Sequence, residues 1–179
     1  IDTQLATSRD GIHWTRVGDR TTWLELDADE TWEGGMVRSV ERIIPRGDQL
    51  YIYYCGVHGA HTGPKIKKVV RNHPVMIGLL RQRRDGFVSL DADDTEGSVV
   101  TVPFELPRGR LRLNIDASDG KVQVAMQDRE GRILTRSKTI HGDQFQTTVQ
   151  FDQPLPAAGT KVKLVLRARN AKLYSYWFA

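Results

Sequence analysis

The stretch Ile77 to Ala92, IGLLRQRRDGFVSLDA, decides how the chain divides. Ile77 and Leu79, with Gln82, would face one way along a strand. Asp85-Gly86 supplies a tight turn, because glycine accepts the positive φ that hairpin turns need. Phe87, Ser89 and Asp91 then alternate with Val88, Leu90 and Ala92, the period of two expected of a strand. Two readings follow. The stretch is a seam between the last strands of a repeated β-sheet unit and a self-contained β-sandwich, or it is an ordinary hairpin inside one continuous sandwich. The seam reading gives a first part over 1–84 and a second over 85–179.

Working outward, the 179 residues suffice for one large or two small domains. Apolar residues make up 39% of the chain, with four tryptophans, enough for a core. The formal charge is +4 and the isoelectric point about 9.3. Acidic and basic residues are interspersed, which is not the single-sign field of a nucleic-acid binder. No apolar run is long enough to span a membrane as a helix. The single cysteine, Cys55, excludes an intramolecular disulfide and a cysteine zinc cluster. Its setting, YIYYCG, reads as a strand buried on both faces, with Cys55 a small inert core residue. No signal peptide is visible. The chain opens on Ile rather than Met, as expected of a fragment or a processed chain.

Upstream of the seam, Gln4 to Ser8 and Ile12 to Val17 read as two strands joined at Arg9-Asp10-Gly11. Ser8 and Asp10 can cap the turn backbone and Trp14 can pack over it, so Asp10 is a structural acid. Gly18 to Gly35 lacks periodicity and reads as a long loop with a short strand at Thr22 to Leu26. It interleaves Trp23 and Trp32 with Glu25, Asp27, Asp29, Glu30 and Glu33. Indole faces stack on sugar rings and carboxylates bind hydroxyls, so the composition suits carbohydrate recognition. It also suits, as the plainer reading, a solvated acidic loop pinned by two tryptophans. Met36 to Ile44 and Gln49 to Gly56 are strands about a turn at Pro45 to Asp48. His58 and His61 follow in a Gly-rich loop, and no third ligand stands at a metal-site spacing. Lys65 to His73 is basic and reads as an exposed edge strand. Aromatics are missing from that region, against a single-strand nucleic-acid groove.

Downstream, short alternating strands recur with turn signals between them. Ser98 to Leu106 carries Pro103, a mark of an edge or bulge. Arg110 to Ala117 puts Leu111, Leu113 and Ile115 on one face, and Lys121 to Gln127 does so with Val122, Val124 and Met126. Ser118-Asp119-Gly120, Asp128 to Gly131 and Asn170-Ala171 read as turns. Arg132 to Ser137, Gln146 to Phe151, Lys161 to Arg167 and Leu173 to Phe178 complete an all-β, antiparallel, jelly-roll-like sandwich. On the last strand Tyr174 and Tyr176 share a face, with core packing their expected role.

Four motifs together resemble a known arrangement: SRDGIHW at 8–14, WEGGMV at 32–37, GDQLYIYYCG at 47–56 and RRDGFVSLDA at 83–92. They are similar to the C-terminal end of the five-bladed β-propeller glycosidases, relatives of glycoside hydrolase families 32 and 43. In the tail, LRLN at 111–114, the pattern D-x-x-G-R-I at 128–133 and LRARNAKLYSY at 166–176 resemble the sandwich that commonly follows such propellers. The resemblance implies partial propeller blades, then an accessory sandwich that is structural or carbohydrate-binding. It points to a secreted or periplasmic protein with a poly- or oligosaccharide partner.

The chain departs from that family in one consequential way. The resemblance implies only about one and a half blades, so that the blade-borne catalytic carboxylates of such proteins are expected to fall outside these residues. Two-carboxylate hydrolysis needs both acids across one glycosidic bond, and nothing places Glu33 opposite Glu41. No catalytic residue is therefore assigned. The resemblance puts a histidine after the Tyr-Tyr strand near the propeller axis, here His58 or His61, with Trp32, Glu33 and Tyr54 as further substrate-binding residues. No cofactor is implied, although such axes sometimes hold calcium. The expectation is a non-catalytic fragment of a carbohydrate-active protein. The alternatives are part of an active hydrolase whose carboxylates lie upstream or on another chain, and a protein-interaction sandwich with no sugar ligand. Unpaired blade edges would favour association with another chain.

Overall fold

The computed structural model describes residues 1–28, 31–58 and 75–179. The chain is all-β; among the described residues the one helical element is a 3-10 turn at Gly18–Arg20. Two compact units meet in sequence at Arg84 and Asp85. No helix among the described residues is long and apolar enough to cross a membrane. The basic stretch 65–73, His61, Asp29 and Glu30 lie outside the described residues.

In the first unit, β1 (Thr3–Gln4) pairs with β4 (Thr22–Leu24), and β2 (Ala6–Thr7) with β3 (Thr15–Arg16). Then β5 (Met36–Arg46), β6 (Gln49–Val57) and β7 (Met76–Arg83) form an antiparallel three-stranded sheet. Strand β5 runs through Pro45 to Arg46, so the reversal is confined to Gly47 and Asp48. Gly47 has φ +63°, the left-handed value that a tight reversal needs. Only one face of β6 is closed off. Leu50, Ile52 and Gly56 are buried, whereas Tyr53 is 44% exposed and Cys55 half-buried. The apolar run YIYYC reflects aromatic content, not burial on both sides.

The β2–β3 hairpin is capped by its own side chains. Ser8 Oγ accepts from Gly11 N at 2.8 Å, and Asp10 Oδ1 accepts from Ile12 N at 2.9 Å and His13 N at 2.8 Å. Asp10 Oδ2 lies 2.7 Å from His13 Nδ1. Trp14 lies over the turn, donating from Nε1 to Gly11 O at 3.1 Å, while staying 63% exposed. The S-x-D-G-x-x-W spacing is therefore turn chemistry, as the sequence indicated.

The second unit contains an eight-stranded sheet: β8 (Leu90–Ala92), β9 (Gly97–Val100), β10 (Phe104–Glu105), β11 (Leu111–Gln127), β12 (Ile133–Arg136), β13 (Ile140–Thr148), β14 (Lys161–Arg169) and β15 (Ala171–Phe178). These strands lie end to end along four antiparallel ribbons. The central ribbon is β11. The run β12–β13 lies on one side of it and β14–β15 on the other, with β8, β9 and β10 beyond. The last ribbon in sequence thus inserts between the first and second. The Phe87–Ala92 strand expected from sequence shortens to Leu90–Ala92, and β7 pairs with β6 rather than turning back on it.

Two expected turns are bulges instead. Strand β11 continues through Ser118-Asp119-Gly120, and the chain continues past Asn170 in the same sense, because β14 and β15 both pair antiparallel with β11. The apolar core positions on β11 are Leu111, Leu113, Ile115 and Ala117, then Val122, Val124 and Met126. The parity switches from odd to even. On the partner ribbon it switches the other way, from Val162, Leu164 and Leu166 to Ala171 and Leu173. A strand has period two, so an inserted residue is what keeps one face inward through a corner. Ala117 pairs with Gly142 and Val122 with Ile140, so five steps along β11 face two along β13. Gly142 (φ +81°) and Asn170 (φ +45°) bend the flanking ribbons at the same level. A genuine hairpin does occur at Asp128–Arg132, where Asp128 Oδ1 accepts from Arg132 N at 2.8 Å.

The core follows from this alternation. Leu106, Leu111, Leu113, Ile115, Val122, Val124, Met126, Val162 and Leu164 belong to one buried cluster. Each fully buried side chain of this kind contributes roughly 1.5–3 kcal/mol. The first unit buries Val37, Leu50 and Ile52 to a similar degree, so apolar stabilisation is concentrated in residues 85–179. Tyr174 and Tyr176 do not share a simple face. The register shifts between Asn114 and Ile115, leaving Tyr174 between the pairs Leu173–Ile115 and Ser175–Asn114. Tyr176 is 41% exposed, while Phe178 packs on the core beside Phe104, ring centroids 6.1 Å apart.

Candidate functional site

Two glycines in strand interiors prepare the site. A Cβ at Gly56 would lie 2.6 Å from Trp32 Cε3 and 2.9 Å from Glu33 Cβ. A Cβ at Gly78 would lie 2.7 Å from the Tyr54 hydroxyl. Glycine inside a strand sacrifices side-chain packing and marks a close approach. Here the approach is made by rings lying on the sheet. Tyr54 and Gly78 are paired across β6 and β7, so the phenol crosses directly over its bare partner.

The rings of Trp32 and Tyr54 are stacked, with centroids 5.8 Å apart and planes 23° from parallel. The Tyr54 hydroxyl donates to Glu33 Oε2 at 2.8 Å. His58, beyond the end of β6, places Nδ1 2.8 Å from Thr31 O. A carbonyl only accepts, so this nitrogen carries the proton. Trp32, Glu33, Tyr54 and His58, named from sequence, are thus joined in one cluster. The fifth, His61, lies outside the described residues.

The electrostatics favour a neutral phenol. Burial, then the bond to Glu33 and its charge, then the charge of Asp27, push Tyr54 up to about 12. Tyr54 stays protonated and acts as a donor at ordinary pH, not as a base. Glu33 is the carboxylate hydrogen-bonded into the cluster, while Glu41 is exposed in the irregular part of β5 between Ser39 and Ile43. Among the described residues no group of three or more His, Cys, Asp and Glu is placed to hold a metal ion. The arrangement offers a half-buried indole, a phenol and a carboxylate, which are the elements of polar-ligand binding.

Trp23 lies on the same side of the sheet, donating from Nε1 to Gln82 Oε1 at 2.9 Å. Trp23 and Trp32 are both held against the sheet, while Glu25 and Asp27 remain exposed. Sequence reasoning missed Thr31, Gly56 and Gly78. The isolated glycines within apolar strands were the available signal for the last two. No protein-family model, curated protein or solved structure matches the chain.

Proposed function

We propose that this chain is a non-catalytic part of a carbohydrate-active, glycoside-hydrolase-like protein. Residues 1–84 are a remnant of propeller blades, and 85–179 a jelly-roll-like accessory domain. The ligand is a poly- or oligosaccharide bound against Trp32. The observation that carries this reading is the stacked Trp32–Tyr54 pair with Glu33 bonded to the phenol, laid over two bare glycines. An indole supplies a flat apolar face for the C–H surface of a sugar, and Glu33 supplies acceptors for its hydroxyls.

Affinity electrophoresis of the full chain against plant and algal polysaccharides tests it, with Trp32→Ala and Glu33→Gln as variants. Trp32 covers Gly56, so the thermal melt of each variant is recorded alongside. Retardation by a particular polysaccharide, lost in both folded variants, supports the reading. Binding that survives both moves the site to the sandwich. Absence of retardation by every polysaccharide overturns the sugar assignment and favours a protein-interaction module, the second reading, for which the exposed apolar residues of β5–β7 speak.

A further inference from the structure

The β5–β7 sheet has two sides of opposite chemical character. Residues paired across an antiparallel ladder point to the same side. The pairs Ile44–Tyr51, Tyr53–Leu79 and Cys55–Ile77 therefore form the face turned away from Trp32 and Tyr54. Ile44, Tyr53, Ile77 and Leu79 are 39%, 44%, 77% and 50% exposed. Contiguous apolar surface of this kind marks an interaction site. Arg38 pairs with Cys55, Arg46 with Gln49 and Arg81 with Tyr51, so three exposed guanidinium groups rim the same face. Strands β5–β7 contain five arginines and one carboxylate, Glu41, which sits where pairing is interrupted. Aromatic and aliphatic centres rimmed by arginine are the usual make-up of a protein interface.

The opposite side is acidic. Trp23 reaches Gln82 on that side, and the charge of Asp27 acts on Tyr54 there, which sets the described residues 23–28 on the Tyr54 side of the sheet. Within that stretch Glu25, Leu26, Asp27 and Ala28 are all exposed, Leu26 to 38%. One apolar side chain thus stands between two carboxylates. This is the complement of an apolar patch between arginines. A face-to-face dimer is disfavoured, since a two-fold axis would set arginine against arginine. We propose that the arginine-rimmed face of one copy docks the Glu25–Ala28 loop of a second copy, head to tail. Leu26 enters the Tyr53–Leu79 patch, and Glu25 and Asp27 meet Arg38 and Arg81.

Sedimentation velocity of the full chain tests this, over a concentration series at low and at high salt. The expected result is an average mass that rises with concentration at low salt and falls back at high salt, because exposed ion pairs are screened. The double variants Arg38→Glu/Arg81→Glu and Glu25→Lys/Asp27→Lys each remain monomeric alone. Mixed together, they associate again, because each reversed surface finds its complement. All four substitutions are at exposed positions, and circular dichroism verifies the fold. The neutral pair Arg38→Gln/Arg81→Gln, also monomeric, replaces a misfolded reversal. A monomer at every concentration, association indifferent to either variant, or a mixture that stays monomeric overturns the proposal.

Discussion

Replacing Gly120 with alanine tests the ribbon corner directly. The added Cβ would overlap the carbonyl oxygens of Arg169 and Asn170 and lie 2.7 Å from the Asn170 carbonyl carbon. These are backbone atoms, so no side-chain rotation relieves the contact. The strands must part, which threatens the neighbouring pairs Lys121–Arg169 and Asp116–Lys172. Overpacking costs about 1–3 kcal/mol, and two weakened ladder hydrogen bonds cost about 1 kcal/mol each. The expected loss is therefore about 3–5 kcal/mol. For a unit of this size each kcal/mol moves Tm by about 4–8 °C, so even the lower figure lowers Tm by roughly 12–24 °C. The control is Gly131→Ala. Gly131 has φ +87° and nothing within 4 Å, so only left-handed strain of about 1–2 kcal/mol applies. Calorimetry of both variants in the full chain makes the comparison. If Gly120→Ala melts at or above Gly131→Ala, β11 does not pass the Arg169–Asn170 bend as described.

Three further outcomes follow from the geometry. Asp10 is held well below the usual carboxylate range by its bond to His13, then by the His13 and Ile12 amides and Ser8. A depressed carboxyl contributes above its unfolded pKa and stops contributing only as pH falls through its folded one. The folded chemical shift of the Trp14 indole should thus persist at pH 3 and collapse to its unfolded value in Asp10→Ala at neutral pH; loss with an ordinary carboxylate midpoint would refute this. Glu33→Gln should bring the Tyr54 phenol down from about 12, though not to its ordinary value, because burial is the leading cause; ultraviolet titration of the tyrosines reads this. In the parent chain the raised phenol makes stability fall as pH rises from about 10 toward about 12, where the unfolded state has already lost the proton. Finally, residues 85–179 expressed alone should unfold in one cooperative transition, as expected of a unit with its own buried cluster; a broad, probe-dependent melt would contradict that.

Alternation made the second unit legible. Leu111, Leu113 and Ile115, then Val122, Val124 and Met126, were readable as inward faces, and all are buried. What was not legible was how those faces connect. Gly120 and Asn170 carry the local chemistry of a reversal, close approach for one and φ +45° for the other, and a bulge asks for the same chemistry. The arithmetic held a clue, since Ala117 to Val122 is an odd step and changes parity. The alternation is legible only over Gln146 to Phe151, because Gly142 and Asp143 interrupt the pattern of the strand that runs over Ile140–Thr148. In the first unit, the aromatic run of β6 suggested burial on both sides, yet strand periodicity cannot tell a buried face from an interface left bare. The cluster around Trp32 was readable as a composition of residue types; its assembly depends on Gly56 and Gly78, whose role is visible only when the rings lie over them.

Those two glycines also separate a structural from a binding role for the aromatic pair. Glycine within a strand costs roughly 0.5–1 kcal/mol relative to alanine, so two such positions in one small sheet need a compensating return. The return at Gly78 is the seat of Tyr54, whose Cε1 would be 2.5 Å from an added Cβ. Unlike the Gly120 corner, the obstructing atoms are the far end of a side chain that can swing away. Gly78→Ala should therefore change stability by about 1 kcal/mol or less, in either direction, since the strand gains what the displaced ring loses. Its effect should fall on the site. A displaced phenol leaves Glu33, so the Tyr54 titration moves down, and any polysaccharide retardation that depends on Trp32 weakens with it. An unchanged phenol titration in a folded Gly78→Ala variant would mean that Tyr54 does not occupy this seat in solution. A large loss of stability with the phenol titration unmoved would make the glycine a backbone requirement of β7 and not the floor of a binding site.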